Sequence, residues 1–244
     1  MNFAGLVPVT MVDYPSTLAA TVFTAGCPLR CGFCQNPQLV IGPVKGRIYP
    51  AEEILGYLER RKKVLRGLCV TGGEPTIHKD LGDFLREVRT LGYRIKLDTS
   101  GIRPDAVEKL LNEGLVGYVA MDIKTVWSRY REVGVPDPGP VLQSMQLIRQ
   151  LAPDYEFRTT VAPGLVEHED VLGIAQNILG ARRYALQQFV QRHELLDPVY
   201  AQRTPHPDAT IFRWAEDLRG YFALPVEVRN TAIGGGTSAE SASP

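Results

Sequence analysis

Cysteine is scarce in this chain, and so is any surplus of charge. Four cysteines occur in 244 residues, and three of them lie in one short run, Cys27 to Cys34, CPLRCGFC. Twenty-seven basic residues balance 27 acidic ones, so no bulk basicity points to nucleic acid and no acidic tail is present. No run of about 18 apolar residues exists, which excludes a membrane-spanning helix. The first residues, MNFAGLVPVTMVDYPS, lack a basic stretch followed by a long apolar one, so no signal peptide is expected. These absences predict a cytoplasmic protein with reduced thiols. There, clustered cysteines serve a metal or catalysis rather than a disulfide frame.

The pattern along the chain is a regular alternation. A lead-in segment, residues 1–17, carries Pro8, Asp13 and Pro15 and room for a short edge strand. Leu18–Ala25 (LAATVFTA) reads as a buried strand and runs into the cysteine loop. A Pro- and Gly-rich connection, 36–50, leads to a helix opened by Pro50, with acid at its start and base at its end, as the helix dipole favours. Strands are then expected at Gly67–Thr71, Tyr93–Thr99, Val116–Ile123, Tyr155–Ala162, Arg183–Val190 and Val226–Arg229, with helices between them. Six strand–helix units predict an α/β fold of parallel strands, a single-domain partial (βα)6 barrel over 18–230. Residues 231–244 are too poor in large apolar side chains to fold and are expected to form a disordered tail. The polar motifs fall at the C-terminal ends of the strands, the edge where parallel α/β proteins bind ligands.

Three thiolates at C-x3-C-x2-C spacing suit a metal centre. A structural zinc site takes four ligands, and a second knuckle is missing here, since Cys69 stands alone inside a strand. Carrier iron–sulfur clusters take four cysteines; three leave one position open. Cys69, between Leu68 and Val70, reads as a small buried residue.

CPLRCGFC, placed directly after the first strand, resembles the cluster-binding signature of the radical S-adenosylmethionine superfamily. Gly72-Gly73-Glu74-Pro75 after the second strand is similar to that superfamily's GGEP motif. The resemblance runs from about Asp13 to Arg229 and implies a 4Fe–4S cluster on Cys27, Cys31 and Cys34. The amine and carboxylate of S-adenosylmethionine would then occupy the open iron position. Against that ligand, Gly72 and Gly73 let backbone approach a charged ammonium, with Glu74 fixing that end. Asp98, Thr99 and Ser100 end the third strand with short polar groups suited to ribose hydroxyls or a small cation. A turn or helix cap is the competing reading of Ser100. Asp122 and Lys124 lie two apart and face one way, partners for the cofactor's charges. Arg158 and Thr160 share a face, and of the adjacent pair Gln187 and Gln188, Gln188 is taken to face the site. Phe33 stands by the adenine, its backbone the expected contact. No general acid–base residue is expected. His78, His168, His193 and His206 read as structural or surface groups, with His193 the one worth watching.

Asp98-Thr99-Ser100-Gly101, Met121-Asp122-Ile123-Lys124 and Arg158 look like motifs of the glycyl-radical-enzyme activases. The run from Gly5 to Pro37 is similar to the anaerobic ribonucleoside-triphosphate reductase activating family. In that family Asp98 and Asp122 would flank a monovalent cation. Gln35 departs from the pattern, which commonly has histidine there, and the departure touches the substrate side. Four cysteines leave no room for extra ferredoxin-like clusters. The resemblance implies an oxidoreductase that takes an electron from flavodoxin or ferredoxin and cleaves S-adenosylmethionine. The 5′-deoxyadenosyl radical then abstracts hydrogen from a backbone glycine of a glycyl-radical enzyme. Two other readings stay open: the same cofactor with a small substrate such as a deazapurine precursor, and a non-catalytic Fe–S or zinc protein.

Overall fold

The computed structural model describes residues 1–44, 46–230 and 235–238. Its elements in chain order are β1 (Asn2–Phe3), β2 (Gly5–Thr10), β3 (Ala19–Thr24), β4 (Tyr49–Pro50), α1 (Ala51–Arg61) and β5 (Gly67–Gly72). Then come α2 (Leu81–Thr90), β6 (Arg94–Thr99), α3 (Pro104–Asn112), β7 (Tyr118–Asp122) and α4 (Gly139–Leu151). The chain ends with β8 (Tyr155–Val161), α5 (His168–Asn177), β9 (Tyr184–Gln188), α6 (Asp208–Asp217), β10 (Glu227–Asn230) and β11 (Gly235–Ser238). Each strand and helix read from the sequence is present within a few residues of its expected bounds. Of the expected tail, 231–234 and 239–244 lie outside the described residues, while Gly235–Ser238 pair antiparallel with β10.

The residues cluster into two compact units, each built from separate segments: 1–28, 38–120 and 139–154 form one, and 29–37, 121–138 and 155–244 the other. In the first unit β3, β5 and β6 are parallel neighbours, and β2 lies antiparallel against β3. The lead-in segment belongs to this body. Tyr14 is buried with Ala19, Tyr118 and Ala120, and Thr21 donates to Asp13 at 2.5 Å. α2 forms because Leu81, Phe84, Leu85 and Val88 recur on one face, and all four are buried. Each such side chain contributes about 1.5–3 kcal/mol of burial.

In the second unit β8, β9 and β10 are parallel. The N-terminus of α5 is closed by a capping box, Glu167 with Asp170. Arg129 reaches the Gly164 and Leu165 carbonyls and Asp170 at 2.8, 2.9 and 3.1 Å. It thereby fastens the 3₁₀ segment Trp127–Val133 to that end. Among the described residues β2 pairs with β3 alone and β11 with β10 alone, so each is an edge strand.

Candidate functional site

The first unit contains Cys27, the Gly72–Pro75 turn and the end of β6. Gly72 has φ +122°, and a Cβ there would stand 2.3 Å from the Thr24 backbone nitrogen. A Cβ on Gly73 would stand 2.1 Å from the Gly26 carbonyl oxygen. Only glycine fits either position. Their close approach lets Gly73 N–H donate to the Thr24 carbonyl at 2.9 Å and Glu74 N–H to the Gly26 carbonyl at 2.8 Å. His78 hydrogen-bonds the Ala25 carbonyl through its ring nitrogen at 2.9 Å. The stem leading into Cys27 is therefore held by the GGEP turn. The turn's N–H groups are committed to that task, so its carbonyls are what suit an ammonium.

Glu74 is 1% exposed, and its carboxylate is consumed by the chain. One oxygen accepts from the Thr76 N–H, the Thr76 hydroxyl and the Thr99 hydroxyl at 3.1, 2.6 and 2.8 Å. The other accepts from the Ser100 N–H and hydroxyl at 2.7 and 2.5 Å. Five donors satisfy a carboxylate that burial would otherwise make costly. Both hydroxyl protons are given to Glu74. Thr99 and Ser100 clamp the end of β6 to the GGEP turn, and Thr99 also accepts from the Gly101 N–H at 3.0 Å.

Asp98 brings in a residue that the sequence reading passed over. The Lys96 ammonium, buried at 2% exposure, lies 2.5 Å from Asp98 Oδ1. Cys69 Sγ is 3.8 Å from the same oxygen and 4.0 Å from Lys96 Nζ. Cys69 and Lys96 are directly paired across β5 and β6, so Cys69 is buried as expected but lies against a charged pair. The available signal was spacing: Lys96 precedes Asp98 by two and so shares its face of the strand.

The second unit contains Cys31, Cys34 and the charged ends of β7 and β8. Cys34 N–H donates to the Cys31 carbonyl at 2.9 Å, closing a turn with a cysteine at each end. The loop is docked by Arg30 N–H to the Val133 carbonyl at 2.8 Å and by Asp197 N–H to the Gly32 carbonyl at 3.0 Å. A Cβ on Gly32 would strike Tyr200 Cε2 at 2.5 Å. Phe33 is 5% exposed, and its ring packs edge-on against Tyr200 with centroids 6.0 Å apart. The aromatic body is therefore spent on packing, which leaves Phe33's backbone as the group for a ligand.

Asp122 lies between two cations: Lys124 Nζ at 3.0 Å and Arg158 Nε at 2.8 Å. Burial raises the Asp122 pKa, but Arg158 and Lys124 outweigh it and hold the carboxyl well below the usual range. For Lys124, burial opposes the charge, and Asp122 and Cys31 more than offset it, so its pKa is raised. Lys124 and Arg158 form a cationic pair of the kind that binds carboxylates. Glu156, 1% exposed, backs this group. It lies 4.0 Å from Arg158 and is gripped by both terminal nitrogens of Arg229 at 2.9 and 2.5 Å.

Thr160 is partly exposed on β8, paired in register with Gln187. Gln188 is buried. Its amide donates to the His206 carbonyl at 2.7 Å and to Asp208 at 3.0 Å, while its Oε1 has no hydrogen-bond partner among the described residues. His193 is exposed.

All four cysteines are thiols. Among the described residues no group of three or more His, Cys, Asp or Glu is gathered in metal-holding geometry. The fit to a cluster accordingly rests on the donor set, three thiols on one loop with two of them closing a single turn. An iron–sulfur cluster is the centre such a set suits.

An α/β protein with a three-thiol loop after its first parallel strand, β3, and charged strand ends is thus defined. Residues 21–175 match the radical SAM superfamily, and the chain belongs to it. A Methanocaldococcus jannaschii protein provisionally named a glycyl-radical enzyme activating enzyme is 30% identical over 193 residues, 76% of this chain and 79% of that protein. The 7-carboxy-7-deazaguanine synthase of Methanothermobacter thermautotrophicus is 32% identical over 101 residues, 41% of this chain and 39% of that one. The crystal structure of Streptococcus suis SuiB bound to S-adenosylmethionine matches with TM-score 0.64 at 18% identity, covering 81% of this chain and 45% of SuiB. That likeness shows the shared fold. The family implies an enzyme with a 4Fe–4S cluster and S-adenosylmethionine.

Proposed function

We propose that this protein is an activating enzyme that installs a glycyl radical on a partner protein, an anaerobic ribonucleotide reductase in the first place. Cys27, Cys31 and Cys34 hold the cluster, which in its loaded form supplies reductive cleavage of S-adenosylmethionine with an electron from flavodoxin or ferredoxin. Lys124 and Arg158, two cations against Asp122, receive the methionyl carboxylate, and this observation carries the reading. The carbonyls of Gly72 and Gly73 serve the ammonium. Glu74, Thr99 and Ser100 position that turn. The Phe33 backbone, Thr160 and the open acceptor of Gln188 line the nucleoside side. The chain's task is to orient the cofactor and exclude water. No side chain is needed as a general acid or base.

A protein substrate is favoured by the length of the likeness to the M. jannaschii relative, 193 residues. The experiment is anaerobic incubation of reconstituted protein, reductant and S-adenosylmethionine with an anaerobic ribonucleotide reductase. A glycyl-radical doublet in the electron paramagnetic resonance spectrum is expected; its absence while 5′-deoxyadenosine accumulates contradicts the partner. A second reading, a small deazapurine-type substrate, draws on the 101-residue likeness to the deazaguanine synthase. Turnover of such a precursor would favour it.

A further inference from the structure

The activase resemblance implies a monovalent cation beside Asp98 and Asp122, and neither aspartate fits one. In the first unit the Asp98 carboxylate meets the Lys96 ammonium at 2.5 Å, an inner-contact distance, and that ammonium is 97% withdrawn from solvent. A protonated amine carries the same charge as a potassium ion, is of comparable size, and is tethered to the strand that carries its carboxylate. In the second unit Asp122 is already met by two cations, Lys124 and Arg158. An added alkali cation would compete at Asp122 with two cations already in contact, and at Asp98 with a cation held in place covalently.

We infer that Lys96 is a built-in monovalent cation for Asp98 and that this protein works without an alkali ion at its cofactor site. Three features make the substitution possible. Lys96 and Asp98 are alternate residues of β6 and so project to one face. Cys69, directly opposite on β5, is small enough to leave room for a lysine chain and lies 4.0 Å from its nitrogen. The Tyr118 ring stands 5.9 Å from the ammonium and supplies a π face to a charge removed from water. Lys96 is a positioning residue: it fixes Asp98 and the turn that follows.

The inference takes from the proposed function only that S-adenosylmethionine binds near these aspartates. Its test uses the cluster-loaded protein. S-adenosylmethionine affinity is measured at matched ionic strength with tetramethylammonium, sodium or potassium as the monovalent cation. Affinities within about threefold of one another are expected, since only screening remains. A gain of about tenfold or more with sodium or potassium overturns the inference. The Lys96→Met variant is expected to bind weakly in tetramethylammonium and to be rescued by sodium or potassium; weakening that neither ion rescues also overturns it. Sodium NMR line widths give a readout independent of S-adenosylmethionine. Protein-induced broadening is expected for Lys96→Met and absent for the wild-type chain, and broadening by the wild type contradicts the inference even if the variant does not fold. Failure to bind S-adenosylmethionine in every buffer would instead count against the proposed function, and the sodium measurement would still decide the role of Lys96.

Discussion

Glu74 accepts from the backbone N–H of Ser100 at 2.7 Å and from its hydroxyl at 2.5 Å, which joins the turn after β5 to the end of β6. Replacing Glu74 with Gln turns one buried acceptor into a donor facing donors. A loss of about 1.5–3 kcal/mol is expected, as for hydrogen bonds to a charged group. Urea unfolding of the apoprotein measures it; an unchanged midpoint would contradict the clamp.

The three loop cysteines and Cys69 should separate cleanly. Cys31→Ser or Cys34→Ser should abolish the broad iron–sulfur absorbance after anaerobic reconstitution. Cys69→Ala should load as much iron as the wild-type chain, because Cys69 faces Lys96 and Asp98 from inside β5. Loss of iron in Cys69→Ala would place the cluster elsewhere.

Gly32→Ala tests the docking of the loop. Its Cβ would meet Tyr200 Cε2 at 2.5 Å, so the loop must shift from Asp197 and Tyr200. Reconstituted iron per chain should fall severalfold while the far-ultraviolet circular dichroism stays native. Full iron loading would show that this contact does not hold the loop.

The acid limb of stability should depend on Asp122. Its folded pKa lies below the unfolded value of about 3.9, so the stability it contributes is present above that value and is lost as pH falls toward the folded pKa. Stability measured from pH 5 downward should therefore fall less steeply in Asp122→Asn than in the wild-type chain, although the variant is weaker at neutral pH because Lys124 and Arg158 lose their partner. Parallel pH profiles would contradict the assignment.

The repeat of strands and helices was legible because period-2 and period-3.6 patterns alternate without interruption from Ala19 to Asn230. The cysteine loop and the glycine pair were legible because few chemistries need those residues at that spacing. Lys96 was not. In YRIKLDT it reads as a polar position of a strand, and only the fold shows it buried against Asp98. The reach of Glu74 to Thr99 and Ser100 also escaped the sequence, since it spans 26 residues and joins two separate strand ends. The 3₁₀ segment Trp127–Val133, which docks Arg30 through the Val133 carbonyl, was not legible because no apolar period marks so short a helix. For Thr99 and Ser100 the short polar types were legible, but their donation to a buried glutamate was not.

Abstraction of hydrogen from a glycine of a partner protein is the proposed reaction, and isotope transfer reports on it. The cluster-loaded protein, reductant and S-adenosylmethionine are incubated with an anaerobic ribonucleotide reductase labelled with deuterated glycine, and the 5′-deoxyadenosine is examined by mass spectrometry. Deuterium in the 5′-deoxyadenosine is the predicted result; 5′-deoxyadenosine formed without deuterium would contradict the account.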